Sequence, residues 1–296
     1  MFPIIPANSV TAPSGNDEGI FGFGYIGPSA LSMTNLVSNA GVVGSDVTGV
    51  GTGRYGIAAC EYGGDKGIFG YGGFAAAPGA TAVSNLVSNA GVVASDTVAV
   101  GTARYGLGAC SFGGDQGIFA YGNAGLSMSN LVSNAGVVGT DVTGVGTARY
   151  LMAACEFGGD QGIFGYGYDG SNYSMTNLVS NTGVVGTDVT GVGTARRYLA
   201  ACSYGFDKGI FGYGKTSDNV GTTNLVSNTG VVGTDVAGVG SARQQLAATQ
   251  YGSDKGIFGY GSGTSASNLV SNAGVVATDV TLVGTARDWL GACSFN

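Results

Sequence analysis

The chain has 296 residues, 58 of them glycine, with 11 basic and 18 acidic residues and no histidine. A net charge of −7, a pI near 4.3 and the lack of any Lys or Arg run argue against a nucleic-acid partner, whose phosphates require a basic stripe. No segment is apolar enough to cross a bilayer as a helix, and without histidine the Ser-His-Asp and Cys-His machineries are excluded.

Residues 1–16 read as an N-terminal arm. It has three prolines, several apolar residues and neither the basic region nor the apolar run of a signal peptide. Such an arm is expected to lie extended against a neighbouring subunit or to hang free as a tail. From Asp17 onward the sequence is one repeating domain, 17–296. Gly-Ile-Phe-Gly-Phe-Gly at Gly19–Gly24 returns at Gly67, Gly117, Gly162, Gly209 and Gly256, five copies ending in Tyr-Gly, with Ala120 inside the third. Asn-Leu-Val-Ser-Asn recurs in step from Asn35, Asn85, Asn130, Asn177, Asn224 and Asn268, and an arginine closes each unit. Spacings of 44 to 50 residues fall in the range of repeats that form single propeller blades.

Within the unit 149–196, small apolar residues predict a first strand over Leu151–Phe157, turned back by Gly158-Gly159-Asp160. A second strand follows at Gly162–Gly167, then a loop over 168–176, a third strand at Asn177–Ser180 and a fourth at Val184–Val189. No helical period is visible anywhere. The expected fold is therefore all-β, a six-bladed β-propeller with four-stranded antiparallel blades. The chain ends on a first strand without its second and begins on a second without its first. The N- and C-terminal strands should therefore share one blade, and removing Trp289–Asn296 should unfold the whole.

Cys60, Cys110, Cys155, Cys202 and Cys293 occupy one position of successive units, with Thr249 in the sixth. One cysteine per blade at equal depth is poor geometry for pairing, so these read as small buried hydrophobes; no metal or other cofactor is expected.

Arg54, Arg104, Arg149, Arg196, Arg243 and Arg287 recur in register with two sets of aspartates. Asp17, Asp65, Asp115, Asp160, Asp207 and Asp254 sit at the first turn; Asp46, Asp96, Asp141, Asp188, Asp235 and Asp279 sit on the fourth strand. Turn aspartates commonly bond their own backbone, and an Arg with an Asp in every unit suggests bidentate pairs that pin neighbouring blades. A sharper alternative puts one set of six carboxylates around the central channel, where like charges raise pKa values or hold a cation.

Variation between copies points to one face. The second-to-third loops differ in length, from 73–84 to 262–267, and the residues after each arginine differ too: Tyr55, Tyr105, Tyr150, Arg197 with Tyr198, Gln244 with Gln245, and Asp288 with Trp289. In an up-and-down blade both features emerge on the same side, so these residues form the candidate ligand-binding face. Unconstrained drift would also explain the loop lengths, but less well the gathering of good contact residues beside the arginines.

The pattern Thr-Ala-Arg, Ala-Ala-Cys, Gly-Gly-Asp-Lys (or Gln) and Gly-Ile-Phe-Gly-Tyr-Gly resembles the kelch repeat across all six units. It departs in two ways: the paired glycines are split by Tyr, and the fourth-strand tryptophan is missing, Trp289 being the only one. The units also resemble glycine-rich propeller repeats of bacteriophage and other viral proteins. A kelch likeness suggests copper oxidases, but their histidine ligands are absent. A two-carboxylate glycosidase would need a pair that stands out, and none does. The expected function is therefore non-enzymatic: a structural or binding propeller of a bacteriophage virion, such as a tail, fibre or capsid-surface protein. It would sit in the virion among other virion proteins, as a homo-oligomer or otherwise, without membrane insertion. The alternatives are a lectin for a host-surface glycan, with Tyr55, Tyr105, Tyr150, Tyr198 and Trp289 stacking on sugar rings, and a kelch-type protein-interaction module.

Overall fold

The structure, a computed structural model, describes residues 17–74, 79–123 and 125–296; the N-terminal arm expected over 1–16 lies outside them. Among the described residues there is no helix. The strands form six separate antiparallel sheets of at least three strands, plus a two-stranded hairpin at Gly73–Phe74 and Gly79–Ala80.

Each sheet is one repeat. The inner strands are Ala58–Tyr62, Gly108–Phe112, Ala153–Phe157, Ala200–Tyr204, Ala247–Tyr251 and Gly291–Phe295. Each pairs with a middle strand carrying the Gly-Ile-Phe motif, and the middle strand pairs with an outer one ending in Asn-Leu-Val. The sheet holding Gly291–Phe295 is built from both ends of the chain: Cys293 lies opposite Ile20 of Glu18–Ile26, which in turn pairs with Ser29–Val37.

The unit 149–196 shows where sequence-based expectation and fold part. Its inner strand starts at Ala153 rather than Leu151, because Leu151 has φ +59° and bends out of extended geometry. The expected loop 168–176 is mostly strand. The middle strand runs Gln161–Tyr168 and the outer one Asn172–Val179, joined by a tight turn with Gly170 at φ +126°. The expected fourth strand Val184–Val189 is not a regular strand; it is joined to the sheet at two isolated bridges, Val179 with Val185 and Thr176 with Val189. The reason is local. The Asn177 amide takes the Gly186 carbonyl and the Asp188 carboxylate, so side-chain bonds replace part of a ladder. The sheets are thus three-stranded with a bridged outer segment, not four-stranded; among the described residues only Val280–Thr281 pairs as a short fourth strand.

The core lies between sheets. Ile163 and Phe164 of the middle strand are fully buried, as are their equivalents, and Phe211 meets Tyr166 of the preceding unit edge-on at 5.2 Å. Two glycines of the motif allow this approach. A Cβ on Gly165 would stand 2.7 Å from Phe211, and one on Gly162 would stand 2.5 Å from Cys110 Sγ. The tyrosine between the last two glycines sits at a bulge, Tyr166 at φ +66°, where the register slips between Gly165 and Gly167.

The inner strands pack in chain order, each against the next, and Gly291–Phe295 packs against both Ala247–Tyr251 and Ala58–Tyr62. Backbone hydrogen bonds follow the same cycle. At one end Gly106 N–H donates to Gly56 O, Leu151 to Gly106, Tyr198 to Leu151, Gln245 to Tyr198, Trp289 to Gln245 and Gly56 to Trp289, all within 2.7–2.9 Å. At the other end Gly63 donates to Asp115, Gly113 to Asp160, Gly158 to Asp207, Gly205 to Asp254, Gly252 to Asp17 and Asn296 to Asp65.

Candidate functional site

The six arginines are buried and nearly invariant in their bonds. Arg149 donates from Nε to Tyr166 O at 2.7 Å, from Nη1 to Thr147 O at 3.1 Å and from Nη2 to Asn177 Oδ1 at 2.7 Å. Its guanidinium lies 4.7 Å over the Tyr121 ring of the preceding unit, which is how it joins neighbours. Burial pulls these arginine pKa values down; that of Arg54, whose Nε has no partner, falls to about 10. The bidentate Arg–Asp pairing expected from the sequence is not the arrangement. Asp188 stands 3.8 Å from Arg149 and instead accepts from Asn177 Nδ2 and from both the backbone and the hydroxyl of Thr147. Burial alone would raise its pKa, but these hydrogen bonds outweigh burial and lower it; Asp46, Asp96, Asp141, Asp235 and Asp279 behave alike. Asparagine is the partner that sequence reasoning missed. Its register is visible in Asn-Leu-Val-Ser-Asn, a recurrence that marks the repeat but does not by itself show the bond.

Neither aspartate set lines the channel between the inner strands. That narrow cavity, about 50 Å³, is lined by three successive residues of each inner strand: an alanine, a cysteine (Thr249 in one strand), and then Ser294, Glu61, Ser111, Glu156, Ser203 or Gln250 in cyclic order. The turn aspartates are held elsewhere, Asp160 by Asn181 and Asp207 by Asn228 and Lys208. Ser111 Oγ donates to Glu156 Oε2 at 2.6 Å, yet burial still pushes the Glu156 carboxyl up. The five cysteines are free, buried thiols. The glycine contacts turn Sγ towards the neighbouring unit; Cys293 Sγ faces Gly67 and Cys60 Sγ faces Gly117. Among the described residues no group of three or more His, Cys, Asp or Glu could hold a metal ion.

At the end of the channel marked by Gly56 and Trp289, the structure gathers the residues that follow each arginine. The first residue after it forms a cross-strand contact with the end of its own middle strand. The contacts are Tyr55 with Gly73, Tyr105 with Asn123, Tyr150 with Tyr168, Arg197 with Lys215, Gln244 with Ser262 and Asp288 with Tyr25. One backbone arrangement thus carries six different residue pairs. The second residue after each arginine has positive φ in every unit: Gly56 and Gly106 fit it freely, whereas Leu151, Tyr198, Gln245 and Trp289 hold it at +58° to +60°. A non-glycine residue in this region stores roughly 1–3 kcal/mol, a strain that concentrates at functional positions.

These side chains touch. Tyr25 meets Tyr55 at 5.4 Å, Tyr55 meets Tyr105 at 6.0 Å and Trp289 at 5.8 Å, and Trp289 meets Tyr198 at 5.0 Å. Tyr150 packs on Tyr168 at 5.9 Å, and Arg197 lies 4.4 Å over Tyr168. Trp289 is therefore engaged by two tyrosines, both edge-to-face, and acts as the hub of the cluster; Tyr105 is the less encumbered ring. Beneath the backbone cycle lies a cavity of about 80 Å³ floored by Ile57, Leu107, Met152, Leu199, Leu246 and Leu290. Burial raises the Tyr55, Tyr150 and Tyr198 hydroxyl pKa values, and burial also raises that of Asp288, against the Gly263 N–H that it accepts at 2.7 Å. The sequence located one member of each pair. It missed Tyr25, Tyr168 and Lys215, because their segments read as loop.

No known protein family matches the chain, and no curated protein matches it either.

Proposed function

We propose that the six sheets are the blades of a six-bladed β-propeller, and that the protein is a non-enzymatic recognition disc that reads a surface glycan through the aromatic end of its channel. The cyclic packing and the two cycles of backbone hydrogen bonds support the propeller. The observation that carries the recognition reading is the set of six cross-strand pairs, in which a constant backbone presents different, half-buried contact residues. Tyr and Trp offer an apolar face with a polar rim, which suits sugar rings and hydroxyls. The likeness of the repeats to kelch and bacteriophage propellers gives the setting, a virion component meeting its host.

A glycan-array screen of the purified chain beside Tyr105→Ala and Trp289→Ala tests this. Specific binding lost in a variant whose melting curve is unchanged supports the reading. Binding that both variants retain, or no binding to any glycan, overturns it.

A further inference from the structure

The protein's cations are few and nearly all committed. Of 11, six are the buried arginines, and Lys66, Lys208 and Lys255 each pair with the aspartate before them. That leaves Arg197 and Lys215, and the fold sets these two directly across from one another. Arg197 N–H donates to Lys215 O at 3.0 Å, and Lys215 N–H donates to Arg197 O at 2.8 Å. Like charges opposed in an antiparallel pair destabilise it. The flanking units place uncharged pairs at this position, Tyr150 with Tyr168 and Gln244 with Ser262, so the backbone does not demand the two cations.

Their surroundings hold them ready rather than neutralise them. The Arg197 guanidinium lies between the Tyr168 and Tyr198 rings, 4.4 Å and 5.6 Å from their centres, and Nη1 donates to Asn172 Oδ1 at 2.9 Å. A guanidinium carries five donors, so most of the fork remains to offer. Lys215 makes no ion pair among the described residues. The carboxylates of the adjoining hairpin tips are taken locally, Asp169 by the Tyr173 hydroxyl and Asp218 by Ser217.

We infer that Arg197 and Lys215 form a subsite for an oxyanion carried on a sugar, a carboxylate of an acidic saccharide or a phosphate of a phosphorylated one. This rests on reading that end of the channel as a glycan surface, and it names the ligand class. The planar fork matches either oxyanion bidentately, and the ammonium adds a second charge. Asn172, Asn219 and Ser262, the last two joined at 3.1 Å, are hydroxyl-matching groups and not the apolar anchors that seat a peptide.

Isothermal titration of the full chain with polygalacturonate, phosphomannan and neutral dextran tests the subsite, each at low and high salt. Wild type is expected to bind at least one charged polymer, more weakly at high salt, and to bind dextran less. Arg197→Lys, which keeps the charge and loses the fork, is expected to weaken that binding about tenfold or more, and Lys215→Gln about threefold or more. Melting curves unchanged from wild type establish that the variants are folded. The tighter charged polymer identifies the oxyanion. Charged-polymer binding that neither variant alters overturns the subsite, as does dextran binding of equal strength. Charged-polymer binding that Tyr105→Ala abolishes while Arg197→Lys and Lys215→Gln leave it intact overturns the subsite alone and keeps the glycan surface. No binding to any of the three polymers overturns the subsite, and the glycan array then decides the surface separately.

Discussion

Replacing Asn177 with leucine tests whether asparagine, and not aspartate, anchors each buried arginine. Asn177 is fully buried; its Oδ1 accepts from Arg149 Nη2 at 2.7 Å, and its Nδ2 donates to Gly186 O at 3.0 Å and Asp188 Oδ1 at 2.9 Å. Leucine has a similar volume, so the loss is mainly polar. Arg149 has no exposed surface with which to recover water, and an unmet charged donor there costs about 1.5–3 kcal/mol. Gly186 and Asp188 are partly exposed and recover part of their hydration, adding about 0.5–1 kcal/mol each. The expected loss is about 2.5–5 kcal/mol, a large share of the stability of any domain. Asp188→Asn is the control. That carboxylate is about a third exposed, lies 3.8 Å from Arg149 and retains an acceptor for Asn177, so about 1 kcal/mol or less is expected. Urea unfolding of both variants, read by circular dichroism and extrapolated linearly, measures the difference. If Asn177→Leu lies within about 1 kcal/mol of wild type, or Asp188→Asn costs the more, the clamp described above is wrong.

Gly162→Ala places a methyl 2.5 Å from Cys110 Sγ and is expected to cost about 1–3 kcal/mol; Cys110→Ala in the same chain should restore most of it, a non-additivity that thermal melts detect. Glu156→Gln removes a carboxylate whose folded pKa is raised above the ordinary 4.5. Wild type loses stability from this group as pH rises through 4.5 towards the raised folded value, so the variant should melt higher at pH 7 and no higher at pH 3. The six outer aspartates act oppositely. Their pKa values are lowered from 3.8, so the stability they contribute is present above that value and fades as pH falls through the lower folded values, visible in acid titration of the melting temperature. Deleting 291–296 removes the inner strand paired with Glu18–Gly22 and the bond from Asn296 to Asp65; cooperative unfolding should be lost, with proteolysis spreading beyond the sheet directly affected.

Much of the architecture was legible because it is local and repeated six times. The alternation of the inner strands, the Gly-Ile-Phe motif of the middle strands and the glycine turns are short-range signals, and six copies in register multiply each of them. The same repetition assigns the terminal strands to one sheet, since each end lacks what the other supplies. The extended hairpin at Tyr168–Asn172 was not legible, because its polar residues read as loop and only pairing with the middle strand makes them strand. Nor was the fourth segment, where side-chain bonds from Asn177 displace the ladder that its valines suggest.

The sequence by itself determined an all-β chain of six equivalent units, the recurrence of one arginine in each, and the end of each unit at which the copies diverge. Tertiary structure decided which atoms those arginines meet, because partners such as Tyr166 and Asn177 of Arg149 lie 17 and 28 residues away and are chosen by packing and not by charge. It also decided that Arg197 faces Lys215, since cross-strand register is a relation between two segments that no spacing along the chain records.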